Sequence, residues 1–452
     1  MNFQKQTLNL SKLWNAYWFR PAPLFDLALC RIIIVGFQIG YLLVKEYHRQ
    51  MLERGDIPGL DYEPLHIVQW LTFPWGTETI PPDWFLSMTF GLTFISGITA
   101  LIGFKTNLSL IFFAIGNLFI QAYLFSFGKY HHPQALLLIT LFLLALSPSG
   151  GVLSLDNLMQ KLRTNIKKQR FKPFNLLNKK SEFSRWPILT AQWLFALIYL
   201  SATMNKLSQG NGSLISADWM NGYTLQYFLI NDGLRWGSDL GVWLGQYHTL
   251  AVILSWMAII FEATFFLVLI FPSLVWVYIP AGIGFHTGIY LAQRAPFFHL
   301  MVLYSVFIPW TKMIKTFSRR QQQSSQQPKP EILYDGLCPI CIRSMTVLCY
   351  FDWLQKLSYT SVEEEWTSIQ KTHPDLSLEA CLAEMHLILP NGYVRKGFFA
   401  FREIILYLPP LWPLLALMYF PGSEILGPKI YTFVASRRKR LTRCSFDSCS
   451  VK

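Results

Sequence analysis

Cys338-Pro339-Ile340-Cys341 is the stretch of this chain best equipped for chemistry. It follows a β-like run, Ile332-Leu333-Tyr334, and a turn at Asp335-Gly336, and it opens a helix-like run that continues past Met345. A cysteine at a helix N-terminus faces unpaired backbone N–H groups and the positive end of the helix dipole, and both favour thiolate over thiol. A second cysteine three residues on lies one turn inside and can attack a mixed disulfide. Cys338 is therefore expected to be the nucleophile and Cys341 the resolving thiol. The competing reading is half of a zinc site, which needs a second pair of ligands. Cys444 and Cys449 are five apart and His373 and His386 thirteen apart, neither a standard zinc spacing, so no metal is expected. Cys349 reads as a buried helix residue. Cys444 and Cys449 read as a bland tail, with a secondary redox pair as the alternative.

A second set of groups lies in apolar surroundings, where charge is costly and marks a functional candidate. An apolar run ends in Asn205-Lys206-Leu207, and His131-His132 opens another that ends at Ser147-Pro148. His286 and His299 lie in or beside later apolar runs. Lys206 either snorkels to the membrane surface or is desolvated in a cavity, where its pKa falls and it acts as a base. Arg31 and Glu262 are the clearest ionisable residues inside apolar runs; they either pair across the bundle or face a cavity, or sit at span ends.

The elements that must hold these groups follow from composition. Of 452 residues, 52% are hydrophobic and only 14% charged, with a net charge of +13 and a mean hydropathy of +0.31. A soluble chain carries about a quarter charged residues. The balance excludes a disordered chain, a disulfide scaffold and a nucleic-acid binder, and it indicates a polytopic membrane protein with cationic loops. Six of the seven cysteines fall after residue 337, an odd and lopsided set that is no disulfide framework. No cleavable signal peptide is expected. Eight runs approach the roughly 20 apolar residues that a span needs: 24–44, 83–103, 107–125, 133–150, 186–204, 248–271, 273–292 and 297–312. Between Lys161 and Arg185 lie nine cations and one acid, Glu182, and Lys312, Lys315, Arg319 and Arg320 follow the last run. The positive-inside rule puts both clusters, and both termini, on the cytoplasmic side of a cell (inner or plasma) membrane. Loops 45–82 and 205–247 then face outward. Residues 319–330 form a low-complexity polar linker. The expected domains are 1–318, an all-α membrane bundle of about eight helices, and 331–452, a small α/β domain. In the latter, Glu331–Tyr334 and His386–Leu389 read as strands and Ile340–Tyr350 and Phe398–Tyr407 as helices. The apolar run 404–420 reads as a packed core helix in preference to a membrane-surface element.

Asp335, Cys338 and Cys341 match the Asp-x-x-Cys-x-x-Cys signature of the DCC-type thiol-disulfide oxidoreductases. The segment also resembles that family at Met385-His386, Asn391-Gly392, Gly397, Ala400, Pro421-Gly422, Tyr431, Arg437 and Arg438. The resemblance implies a thioredoxin-like fold, a site role for Asp335, and a cis-proline beside the dithiol, for which Pro374 and Pro390 are candidates. Residues 20–312 resemble the HTTM proteins and their relatives, the vitamin K-dependent γ-carboxylases. Lys206-Leu207 followed by Ala217-Asp218-Trp219 and Gly222-Tyr223 carries the likeness, together with His132, His286 and Phe297-Phe298-His299. It implies that Lys206 is a base toward a reduced, vitamin K-like quinone, with His132 and His286 near a quinol oxygen or developing oxyanion and Trp219 and Tyr223 lining the site. His299 reads as structural. The chain lacks the large β-rich region with which carboxylases hold their protein substrate, so peptide carboxylation is not expected.

The function so implied is a membrane protein with a cytoplasmic dithiol domain acting on a disulfide-bearing protein or small thiol, beside a membrane half capable of quinone-linked chemistry. A non-catalytic protein of maturation, transport or immunity to an exported peptide, with the dithiol as redox sensor, is the alternative. The lipid bilayer is an expected partner and nucleic acid is not.

Overall fold

The computed structural model describes residues 10–57, 59–76, 78–128, 133–208, 218–324 and 328–437. The chain divides into two compact units. Gly150 and the residues before it join Lys180–Ile308, and Gly151–Lys179 joins the residues from Pro309 onward.

In the first unit, six helices among the described residues are long and apolar enough to cross a membrane. They are Leu24–Val44, Asp83–Ile102, Thr106–Phe125, Glu182–Ser208, His248–Ile270 and Pro272–Gln293. Two of the eight expected spans are shorter: Gln134–Ala145 and Phe298–Phe307. At about 1.5 Å per residue neither reaches across the roughly 30 Å hydrocarbon layer as helix alone. The first of them is nonetheless a buried part of the bundle, with Leu136, Leu137, Leu141 and Leu144 within its core.

Strand pairing constrains the parity of the crossings between Pro23 and Lys180. Ala22–Pro23 pairs antiparallel with Lys180–Ser181, and Arg185 Nε donates to the Tyr17 carbonyl at 2.7 Å. Both segments therefore lie on one face, and the chain between them must cross an even number of times. Three long helices alone would leave them on opposite faces, so the short Pro133–Ala145 helix counts as the fourth traverse.

Close packing inside the bundle uses small residues and paired amides, as lipid-buried helices require. A Cβ on Gly116 would collide with the Thr93 side chain, and Gln38 Nε2 donates to Asn117 Oδ1 at 2.7 Å. The turn between the helices Asp83–Ile102 and Thr106–Phe125 carries Gly103 and Lys105 at φ 72° and 43°. The stretch 205–247, expected to be an outward loop, contains the helices Tyr223–Trp236 and Asp239–Gly245.

The second unit is built on a four-stranded sheet in the order Ser358–Ser361, Glu331–Tyr334, His386–Ile388, Val394–Lys396. The first pair is parallel and the other two are antiparallel. A βαβ half followed by a ββα half in this order is the thioredoxin-like arrangement. The helix Pro339–Phe351 makes the parallel crossover, and Gly397–Leu406 follows the last strand. Ile332, Leu387, Ile342, Ala400 and Ile404 are fully buried between them.

Residues 151–179 belong to this unit. The helix Leu155–Lys167, capped by Ser154 Oγ accepting from the Asn157 N–H, lies on the crossover helix. Tyr350 Oη accepts from the Ser154 N–H at 2.8 Å and donates to its carbonyl at 3.0 Å. Asn165 Nδ2 donates to Thr346 Oγ1 at 2.9 Å, and Phe171 packs against Tyr334 and Tyr359. The basic loop is thus a structural layer of the dithiol unit, although the boundaries 1–318 and 331–452 separate the two in sequence. The helix Trp310–Ser324 extends into the first half of the polar run that begins at residue 319.

Candidate functional site

Cys338 is the N-cap of the helix Pro339–Phe351, in extended conformation, with Pro339 at the first helical position. Proline suits that position because its missing N–H would be unpaired in any case. The turn before it is set by Asp335, whose Oδ1 accepts from the Leu337 N–H at 2.9 Å, and by Glu363 Oε2, which accepts from the Gly336 N–H at 2.8 Å. Gly336 has no room for a side chain, since a Cβ would collide with Ser361 Oγ.

Cys338 Sγ accepts from the Cys341 N–H at 3.4 Å. The Cys338 thiol is pulled down from its ordinary value of 9.0 to about 6. The largest cause is the Cys341 thiol donating to it; burial opposes, and the N–H groups of Cys341 and Ile340 add to the lowering. Cys349, two turns further on, goes the other way: burial pushes it up to about 12. Its Sγ is engaged with the Phe174 backbone, donating to the carbonyl at 3.3 Å. One helix therefore carries an acidified thiol at its start, where a second thiol donates to it, and an inert one in its body, where burial disfavours the thiolate.

Both cysteines of the pair are covered, Cys338 fully and Cys341 nearly so. A cavity of about 290 Å³ opens beside them, lined by Asp335 and Cys341 on one side and by Met345, Met385, Phe398 and Tyr431 on others. Its walls are mainly apolar. Tyr431 Oη accepts from the Met385 N–H at 3.0 Å and so fixes the segment that faces the dithiol. No peptide among the described residues is cis. The expected cis-proline is absent at both Pro374 and Pro390, and the residue leading into the strand His386–Ile388 is Met385. Two further motif positions shape the backbone. Gly397 has φ 53° with Glu384 and Tyr431 against it, and Gly422, at φ 93°, caps the helix Ser423–Ala435.

In the membrane unit, Lys206 Nζ lies 2.6 Å from Glu262 Oε2, with only 14% and 6% of the two side chains exposed. The Trp219 ring covers the ammonium at 5.2 Å. Lys206 is therefore ion-paired with Glu262 and largely buried. Glu262 is legible as a carboxylate in an apolar run but not as the partner of Lys206. Arg31, the other such residue, is completely buried.

His286 is also buried, and its Nε2 shares a hydrogen bond of 2.9 Å with Tyr199 Oη. Tyr199 in turn bonds Tyr304 through their hydroxyls. Both tyrosines escape sequence reasoning because an aromatic in a span carries no signal of its polar end. Tyr199 and Lys206 are seven residues apart on one helix, two turns along the same face. Tyr223 is exposed and stacks near His248 at 4.5 Å. It borders an open groove of about 840 Å³ lined also by Leu207, Met220, Val252 and Trp256. His299 packs edge-on against Tyr41 and Phe37. His132 lies outside the described residues, as do Cys444 and Cys449.

An apolar helical bundle with a buried ion pair, joined to a thioredoxin-like unit with an acidified dithiol, defines a membrane protein with a redox domain. Residues 19–310 match the HTTM domain, more than half of the chain, and residues 332–444 match the DCC1-like thiol-disulfide oxidoreductases. The chain belongs to the HTTM family and carries a DCC1-like domain at its C-terminal side. No curated protein and no solved structure matches it significantly.

Proposed function

We propose that this protein is a membrane-bound thiol–disulfide oxidoreductase whose nucleophile is Cys338. The observation that carries the reading is the position of Cys338 at a helix start, with its thiol brought to about 6 by the Cys341 thiol and two backbone N–H groups. Near neutral pH it is largely thiolate. It attacks one sulfur of a substrate disulfide, the S–S bond breaks, and the departing sulfur leaves as thiolate. Cys341 then loses its proton and attacks Cys338, releasing the second substrate thiolate. Two electrons pass to the substrate, and the Cys338–Cys341 disulfide is re-reduced by an external dithiol. Substrate sulfur reaches the pair through the apolar cavity, which requires the cover over Cys338 to give way. Cys341→Ser tests this order of events: the full-length protein incubated with a small aromatic disulfide accumulates one stable adduct on Cys338. An adduct on Cys349 or Cys381 in place of Cys338 would overturn the assignment.

We assign the dithiol to the cytoplasmic face. The support is that the most cationic loop, 151–179, folds as part of the dithiol unit, and such loops stay inside. An impermeant lysine reagent applied to intact cells should leave Lys315 and Lys329 unmodified; their labelling before permeabilisation would reverse the orientation.

For the membrane half we propose proton transfer to or from a lipophilic acid, with Lys206 and Glu262 as the proton-holding pair. Lys206 lies at the far end of its helix from the Ala22–Lys180 strand pairing, toward the opposite face. A base at Lys206 must first pass its proton to Glu262, 2.6 Å away. The groove beside it, apolar with Tyr223 and His248 at its edge, fits a quinone ring and tail. A reduced quinone bound there would supply an acidic hydroxyl.

A further inference from the structure

The helical hairpin that closes the second unit has two unlike sides. Its inner side supplies Met418, Gly427, Ile430, Tyr431 and Val434 to the wall of the dithiol cavity. Its outer side is apolar and uncovered: Leu417, Phe420, Ile425 and Leu426 are 65%, 64%, 69% and 60% exposed. The helix Ser423–Ala435 buries only Gly427, and the turns Pro409–Leu414 and Leu415–Met418 bury nothing fully. This corrects the expectation that the run 404–420 is a packed core helix beyond Leu408. Soluble surfaces rarely leave so continuous an apolar patch open.

Charge marks the edge of this patch. From Pro409 to Ser436 the sequence holds one acid, Glu424, and one base, Lys429. Glu424 is held by Arg402 at 3.2 Å. The helix ends at Ala435, Arg437 just beyond it lies over the Phe433 ring at 4.1 Å, and the sequence continues Arg438-Lys439-Arg440. An apolar face with Arg437 at its border and three more cations next in sequence, on a chain already anchored in a bilayer, is the pattern of an interfacial element seated among acyl chains with anionic headgroups at its rim.

We propose that the segment Pro409–Ala435 lies in the bilayer surface, with anionic lipid on the cations that follow it, so that the dithiol cavity opens at the membrane interface. This rests on the oxidoreductase reading only for its consequence, that the preferred disulfide is lipophilic or membrane-borne. The docking itself is independent of turnover.

The test uses the full-length protein in vesicles of phosphatidylcholine and phosphatidylglycerol carrying a phospholipid with a diazirine in its acyl chain. After illumination, peptides covering 411–434 should carry lipid adducts, as the six spans do. The triple variant Leu417→Glu, Phe420→Glu, Ile425→Glu alters only exposed positions. It should lose most hairpin adducts while the spans stay labelled, and omission of phosphatidylglycerol should reduce hairpin labelling severalfold. Labelled spans with an unlabelled hairpin in the wild-type protein overturn the proposal. So do chain-to-chain links at the same residues when a bifunctional cross-linker is added to the same vesicles, which would make this face a contact between copies. Hairpin labelling in a protein with no reductase activity would leave the docking standing and remove the redox reading alone.

Discussion

Replacing Cys338 with serine should reduce the disulfide-reductase rate of the full-length protein on the order of 10³-fold or more, the scale expected when a nucleophile is removed. The loss arises because serine has no thiolate to attack with, while the fold has little reason to change: the side chains are nearly isosteric, and serine is a good N-cap. Insulin reduction, followed as turbidity with an external dithiol, measures it. Cys349→Ala is the matched control. That thiol is held un-ionised, up at about 12, so its removal should leave turnover unchanged. A Cys338→Ser protein that keeps its rate would remove the redox function altogether.

Lys206→Ala should lower the stability of the membrane unit by about 3–5 kcal/mol, the cost of leaving one member of a buried ion pair without its partner. The partner is Glu262, with 6% of its side chain exposed, and loss of the stacking on Trp219 adds up to about 2 kcal/mol. Glu262→Gln should be milder, since the amide still accepts a hydrogen bond. The double change Lys206→Met, Glu262→Met should regain most of the lost stability, because apolar replacements for a buried pair are commonly neutral or stabilising. Thermal unfolding in nanodiscs measures all three. The same series separates chemistry from scaffolding. A double variant that is stable but inactive in the cell assigns the pair a function, whereas one that is stable and active makes the bundle a scaffold. Single variants that melt with the wild type would show that the pair is solvated and contributes little.

Much of this arrangement is legible in the chain, and the failures share a cause. The dithiol is readable because its signal is local: a strand, a turn and two cysteines with the spacing of one helical turn. The six long spans are readable because burial in lipid demands length and apolarity together. What fails is anything that depends on which apolar surface meets which partner. Composition places Leu417 and Phe420 out of water but cannot say whether protein or lipid covers them, and so the hairpin reads as core. Lys206 and Glu262 are 56 residues apart, and their pairing depends on the rotation of two helices, which no single-helix pattern contains. The helix Tyr223–Trp236 is hidden by its polar residues Gln226, Asn231 and Asp232, which read as loop. The joining of residues 151–179 to the dithiol unit rests on Tyr350, Asn165 and Phe171, unremarkable as residue types and decisive only in three dimensions.

The two chemistries need not be one reaction.

Whether Cys338 is an acidified thiolate at neutral pH is tested most directly by the pH dependence of its alkylation. The full-length reduced protein is treated briefly with iodoacetamide across a range of pH, and the modified Cys338 peptide is quantified by mass spectrometry. Since the folded pKa lies below that of a free thiol, the rate should be at its plateau near neutrality and fall as pH drops through about 6. A midpoint near 9, the ordinary value of the thiol, would contradict the account.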